Sequence, residues 1–412
     1  MKKSKVFYGW WIVLGAAIIL GILGPAAVAV ANVYQTSVVS EFGISNSQFA
    51  ISNSFVLGVG IFLSPFVSKR LAEGNFKRNF IISLLIYALA YIGYGFAPNI
   101  LVFYLLSFFV GYGYLGTTIL PVTLLINNWF IQKRGLAISL ALSGLGVGGV
   151  VFSQFVTFFI EQVGWRQTYM LYGALMLIVI VPLMLFLIKV QPEEIGLKAY
   201  GSDFYIQSEV GEEEQMERVE MPFSETVKKP FFILLILGAV FVGISNNAGL
   251  GQFPPVLTEL HGPVVAATVI SVYSAVGIIG KLVLGHMNDL KGIVKSTLYT
   301  STLLALSYFL MLFSSNVWIV YLMAVFFGMG NAIGTVMPPL VTSAIYSTEQ
   351  YSTAYGYVNS GLQFGMTVGS LLAAGIADLT GTYTVSWIVI TILSLGTGLS
   401  WVGAYKNSKK YQ

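Results

Sequence analysis

One ionisable residue stands inside a run otherwise built to avoid water. Lys281 follows Gly277, Ile278, Ile279 and Gly280, and precedes Leu282, Val283 and Leu284. An ammonium in such a setting costs several kcal/mol unless something compensates it. No carboxylate is within helical reach: Gly277, Ile278, Leu284 and Gly285 occupy the positions three and four residues away. Two readings stay open: the flexible stem carries the charge out to a polar surface, or the charge awaits an anionic ligand. Little else in the chain could do chemistry. The absence of cysteine removes thiolate nucleophiles and thiolate metal ligands. His261 and His286 do not pair in any metal-ligand spacing. No nucleophile, base and orienting group form a constellation, and no glycine loop cradles a nucleotide. The sequence therefore predicts neither an enzyme nor an ATP-driven pump, and no cofactor.

The elements that must position Lys281 are apolar helices. Hydrophobic residues make up 56% of the 412, charged residues 9%, and the mean hydropathy is +0.80. A water-soluble domain carries about 25% charged residues, so most of this surface must face lipid. Stretches of the length needed to cross a bilayer recur throughout. They fall near 8–31, 48–68, 79–97, 100–126, 136–160 and 166–189, then 230–252, 264–287, 294–313, 317–341, 351–375 and 384–404. The expected fold is an all-α integral membrane protein of twelve transmembrane helices. It has an N-terminal half, 1–189, an acidic cytoplasmic linker, 190–229, and a C-terminal half, 230–412. The first stretch reads as a retained helix and not a cleaved signal. With an even number of spans, 19 of the 21 lysines and arginines fall on the side that holds both termini. Arg166 lies on the other side and Lys281 inside a span, so both termini are expected to be cytoplasmic, in a multi-pass protein of the cell membrane. The same bias accounts for the basic pI near 8.9 without nucleic acid. The linker holds ten acidic residues, including Glu212, Glu213 and Glu214, against four basic ones. It reads as a solvated, flexible connection.

The halves repeat at an offset of 217 residues. Tyr104, Gly111, Gly113, Thr118 and Pro121 match Tyr321, Gly328, Gly330, Thr335 and Pro338. Ala137, Ser143, Gly144 and Gly148 match Ala354, Ser360, Gly361 and Gly365, and Ser54, Val59 and Gly60 match Ser271, Val276 and Gly277. Two parallel six-helix repeats are a transporter plan in which substrate binds at the repeat interface and the halves rock around it. In this register Lys281 stands opposite Ser64.

Several short stretches together resemble the major facilitator superfamily, in particular its branch of oxalate/formate antiporters and monocarboxylate transporters. They are Tyr8-Gly9-Trp10-Trp11, Asn128-Trp129-Phe130, Lys133-Arg134-Gly135-Leu136-Ala137 with the glycine-rich run 143–149, Gly164-Trp165-Arg166, and Gln191-Pro192-Glu193-Glu194-Ile195-Gly196-Leu197. The resemblance implies secondary transport of a small organic anion, with a proton or an exchanged anion as partner, in a chain that works as a monomer. The superfamily's gating motif survives in Gly285, Asp289 and Gly292; in the first half it is degenerate, with Glu73 as its acidic candidate among Lys69, Arg70, Gly74, Lys77 and Arg78, and Lys133 and Arg134 between the fourth and fifth spans join the gating set. The resemblance also places Lys281 where carboxylate transporters hold an arginine that binds the substrate carboxylate. Gly277 lies where animal monocarboxylate transporters carry an aspartate implicated in proton coupling one turn earlier. The span 351–375 lacks the second cation of an oxalate exchanger, so a monoanion is expected.

The remaining candidates for a cavity lining are polar or aromatic residues inside spans: Tyr114 and Asn331 at matched repeat positions, with Tyr355, Asn359 and Asn247. Hydroxyls and amides complement a carboxylate and its neighbours, although each of them could equally join helices. Asn32, Tyr34, Gln35, Tyr112, Thr117, Thr118, Asn246, Gln252, Tyr357 and Gln363 extend the set. Two other functions fit the composition: export of amphipathic drugs or lipids through an aromatic cavity, and a non-transporting membrane sensor.

Overall fold

The computed structural model describes residues 7–27, 30–202, 219 and 221–411. Lys2, Lys3, Lys5, Arg218 and the run Glu212 to Glu214 lie outside the described residues. The chain divides into two units, Met1–Ser202 and Asp203–Gln412.

The first unit contains α1 (Gly9–Ala27), α2 (Ala31–Phe42), α3 (Asn46–Glu73), α4 (Phe76–Tyr94), α5 (Ile100–Thr117), α6 (Ile119–Trp129) and α7 (Arg134–Pro182). The second contains α8 (Pro230–His261), α9 (Pro263–Leu310), α10 (Val317–Asn331), α11 (Ile333–Ile345), α12 (Thr348–Thr380) and α13 (Tyr383–Ser408). Ten stretches among the described residues are long and apolar enough to cross a membrane. Two of these are double: α7 runs 49 residues and α9 runs 48. At 1.5 Å per residue each is over 70 Å, about twice the thickness of a hydrocarbon core. Both are broken by a glycine with positive φ, Gly164 at 83° and Gly292 at 75°. Each therefore crosses, turns and returns, which gives twelve crossings.

Local sequence sets the ends. Ser45 and Gln48 form a capping box that opens α3. Asn75 caps α4 through the Arg78 amide, and Asn99 and Asn316, 217 residues apart, cap α5 and α10. The first crossing is longer than the apolar run 8–31 predicts. It continues as α2 to Phe42 because Val30, Tyr34 and Val38 turn a fully buried face inward, and it stops at Gly43, φ 62°. Polar residues on the other face of α2 hide that helix from a hydropathy reading.

The repeat is present in the packing as well as in the residue types. A side chain at Gly111 would collide with the Val56 backbone, and one at Gly328 with that of Tyr273. Gly113 likewise meets Tyr87, and Gly330 meets Leu304. All four residues of the first unit map to the second at the same 217-residue offset. Between the first and seventh crossings the offset becomes 219: Gly144 meets Ala17 and Gly148 meets Gly21, while Gly361 meets Ile236 and Gly365 meets Val240. Tyr91 donates to the Ala26 carbonyl at 3.3 Å, and its mate Tyr308 donates to that of Ser245. These are backbone-to-backbone contacts and buried straps, the means by which helices associate when lipid supplies no hydrophobic drive.

The stretch 190–229 is not uniformly a solvated link. Its first part folds onto the first unit: Tyr200 donates its amide to the Trp129 carbonyl at 2.8 Å and accepts from the amides of Ile131 and Gln132. Pro192–Ile195 forms a 3-10 turn, and Glu194 accepts from the amides of Val190 and Gln191. At the other end, Val219 donates to the Ile345 carbonyl, and Gln350 holds the Met221 carbonyl. The acidic composition masked these attachments because backbone groups make most of them.

Candidate functional site

Lys281 lies in the first leg of α9, eleven residues before the turn at Gly292. That is about 16 Å along the helix, near the middle of a 30 Å hydrocarbon layer, and a four-carbon stem spans only a fraction of it. The side chain is half-buried. None of the ion pairs among the described residues includes it. Every described carboxylate lies within a turn of a helix end or of a glycine kink. The backbone beside Lys281 fits closely against α10, since a side chain at Gly280 would meet Met329 and one at Gly277 would approach the Gly328 carbonyl. Its mate Ser64 is fully buried and donates to the Gly60 carbonyl at 2.5 Å.

The fourth crossing is interrupted at Thr118 (φ −104°, ψ −122°), whereas the tenth stays right-handed helical through Ala332 (φ −55°, ψ −27°). Tyr114 is half-buried in the last turn of α5, before the break at Thr118, whose hydroxyl donates to the Tyr114 carbonyl at 2.6 Å. Asn331 is the last residue of α10, at its junction with α11. Its Oδ1 is buried without a hydrogen-bond partner. Broken helices expose backbone groups that a cavity can use.

The other expected lining residues divide. The Asn247 amide donates to the Met366 carbonyl at 2.5 Å and so joins α8 to α12. Its neighbour Asn246 is 7% exposed, lies against Gly334 at the start of α11, and has an unpartnered Oδ1. Adjacent asparagines differ by 100° around a helix, and residue type alone does not separate them. Tyr355 is 1% exposed and stacks on Tyr351 at 5.5 Å; Asn359 is also buried. Among the motif residues, Gly285 is buried, Asp289 is exposed and Gly292 makes the turn. Glu73 pairs with Lys69 on its own helix at 3.8 Å, both well exposed. Lys133 adopts φ 56° with its ammonium over the Tyr200 ring, and Arg134 donates to the Phe130 carbonyl.

Several stretches that carry the family resemblance meet at one end of the first unit. Trp129 donates to the Lys189 carbonyl at 2.9 Å, Asn128 to that of Val190, and Tyr8 to that of Leu187. Trp10 packs edge to face on Phe130 and on Tyr200, whose own rings are tilted against each other. At the opposite end Trp165 and Arg166 both grip Glu41, at 2.5 and 2.8 Å. Arg166 also donates to the carbonyls of Gly95 and Ala97. The first unit further contains a small pocket, roughly 270 Å³ with its open mouth included, walled by Val56, Tyr91, Tyr94, Phe103, Val110 and Tyr169. Among the described residues no cluster of three or more potential metal ligands occurs.

Twelve apolar crossings in two repeated units, with a lone cation in the span that repeats Ser64 as lysine, define a membrane carrier fold. The description "Major Facilitator Superfamily" matches residues 6–289 and 235–411. The chain belongs to that superfamily, whose members are transporters and not a class of enzymes. It is similar to monocarboxylate transporter 14 of Mus musculus, 23% identical over 175 residues, covering 41% of this chain and 33% of that protein. It is also similar to monocarboxylate transporter 12 of Mus musculus, 20% identical over 419 residues, covering 92% and 82%. The first of these matches thus spans only a third of the relative's length. The fold matches that of a proton:xylose symporter of the superfamily, XylE, with a TM-score of 0.71 at 13% identity over 98% of this chain and 96% of that one.

Proposed function

We propose that the protein is a secondary transporter that moves a small organic anion, a monocarboxylate, across the membrane by alternating access. The observation that carries this reading is Lys281, half-buried at mid-membrane depth with no ion pair among the described residues. A charge held there without a protein counter-ion is compensated when an anionic ligand binds. An ammonium acts as a mobile point charge and does not grip a carboxylate with two parallel bonds as a guanidinium does, so it suits a small anion of varied shape. The names of the two monocarboxylate transporters among the relatives support the same class. Exchange or facilitated diffusion is the expected mode, because no described carboxylate lies at mid-membrane. Both termini are proposed to be cytoplasmic.

The test is uptake of short monocarboxylates by the purified full chain in liposomes. Lys281→Met keeps the stem and removes the charge. It is expected to reduce carboxylate uptake at least tenfold at unchanged protein abundance, since an unpaired buried charge contributes nothing to stability. Lys281→Arg should retain part of the uptake. Methionine variants that carry carboxylates at the original rate would remove Lys281 from the site, and a broad screen without any carboxylate signal would remove the substrate class.

A further inference from the structure

The second piece of the broken fourth crossing, α6, is short. It has 11 residues, about 16 Å at 1.5 Å per residue. At its start Thr118 leaves helical geometry, and Pro121 has no N–H to offer the Thr117 carbonyl. The helix ladder is therefore weakened between α5 and α6, and the far end of α6 needs support from elsewhere. The stretch 189–201 supplies it. Asn128 and Trp129, the last two residues of α6, donate from their side chains to the Val190 and Lys189 carbonyls at 3.2 and 2.9 Å. The Glu194 carboxylate fixes the loop that offers those carbonyls by accepting from the Val190 and Gln191 amides. The Trp129 carbonyl, of the kind a helix end leaves without a partner, accepts the Tyr200 amide at 2.8 Å. The Tyr200 ring then packs on Phe7 at 5.3 Å and Phe130 at 5.8 Å, with the Lys133 ammonium 5.6 Å from its centre. None of these contacts uses its hydroxyl. Gly201, φ 90°, permits the approach, since a side chain there would strike Gln132.

The second unit is built differently at the corresponding place. Its tenth crossing is helical through Ala332, and the linker meets the end of α11 with the Val219 amide on the Ile345 carbonyl at 3.0 Å. Tyr346, the mate of Trp129, has a buried hydroxyl without a partner. The fuller attachment thus accompanies the broken helix. We propose that residues 189–201 are a clamp on α6, with Tyr200 as its positioning residue. By holding the far half of the broken crossing, the clamp keeps the break at Thr118, and Tyr114 in the turn before it, in the geometry that transport requires.

The experiment uses the full chain in liposomes and reads hydrogen exchange of the α6 amides together with uptake of butanoate. The uptake arm rests on the anion-transport reading above; the exchange arm does not. Tyr200→Ala removes the ring and lysine contacts, each equivalent to about a few-fold in an equilibrium constant. Exchange in α6 is expected to rise about tenfold or more, with α4 changed by less than about twofold. Maximal butanoate uptake should fall at least about fivefold, at a half-saturating concentration within about twofold of wild type, because Lys281 belongs to the other unit. Gly201→Val, which keeps every ring, should reproduce both effects, and Tyr200→Phe should restore both. Lengthening the connection by about ten Gly and Ser residues after Gly211 should change neither. Unaltered exchange in α6, or exchange raised equally throughout the first unit, would overturn the clamp. So would a normal uptake rate with α6 loosened, or a loss on lengthening that matches Tyr200→Ala, which would make the stretch a tether. If wild type takes up no butanoate, the anion reading falls and the exchange arm alone decides the clamp.

Discussion

Arg166 allows a sharp calculation, because its contacts are few and complete. The guanidinium donates to Glu41 Oε1 at 2.8 Å and to the Gly95 and Ala97 carbonyls at 3.0 and 2.8 Å. It also lies over the Trp165 ring at 4.4 Å. Replacing Arg166 with methionine keeps some of the stem and leaves the two carbonyls at the end of α4 without their donor. Bonds from a charged group contribute about 1.5–3 kcal/mol each when buried. The arginine side chain is 32% exposed and the glutamate 46%, so the ion pair itself contributes only about 0.5 kcal/mol after solvent screening. Together the loss should be about 2–4 kcal/mol, most of it from the carbonyls. Glu41→Gln should then cost only about 0.5 kcal/mol, and the two substitutions should couple by no more than the ion pair. Denaturant unfolding of the detergent-purified protein, followed by tryptophan fluorescence, measures all three quantities. A loss below about 0.5 kcal/mol for Arg166→Met, or one matched by Glu41→Gln, would refute this account.

Two further outcomes are expected. Single cysteines at Asn75, Gln132 and Lys410, in a chain with none of its own, should label from the cytoplasmic side, and those at Pro98, Val163 and Ser315 from the other; the reverse pattern would invert the proposed orientation. Val110→Phe copies Phe327, its mate in the second unit, which is fully buried against Phe253 and Tyr273. The pocket of the first unit encloses room for only about one water, so the ring should overpack it and lower stability by about 1–3 kcal/mol, and an unchanged or raised stability would mean that the pocket opens to admit the ring.

The crossings could be read from hydropathy because lipid demands long apolar runs, and the repeat because glycines at 111, 113, 328 and 330 admit no side chain. Less was legible wherever polar residues perform structural work. The second half of the first crossing, Ala31–Phe42, carries Gln35, Thr36, Ser40 and Glu41 and looks like loop, yet Tyr34 stacks on Tyr169 at 3.7 Å and fixes it as helix. Residues 190–202 attach through backbone amides, which have no sequence signature. Arg166 stood out in sequence as an exception to the charge bias and as part of the Gly164-Trp165-Arg166 stretch, but its partners Glu41, Gly95 and Ala97 are distant in the chain. For Lys281 the depth was legible from its position in an apolar run, whereas the close fit of its helix against α10 at Gly280 and Met329 required the structure.

The duplicated glycine contacts also bear on how such a protein diverges. At Gly111 and Gly328, or at Gly113 and Gly330, any side chain runs into backbone, so neither copy can drift there without losing its helix pairing. At 64 and 281, or 27 and 246, the residues differ freely between copies: serine against lysine, alanine against asparagine. A scaffold made twice thus confines substitution to positions that need not match. One copy can gain a charge or an amide while its twin retains a small residue, and the helices of both continue to pack as before. New specificity in this architecture is then acquired by breaking symmetry at single positions, without rebuilding the frame that holds them.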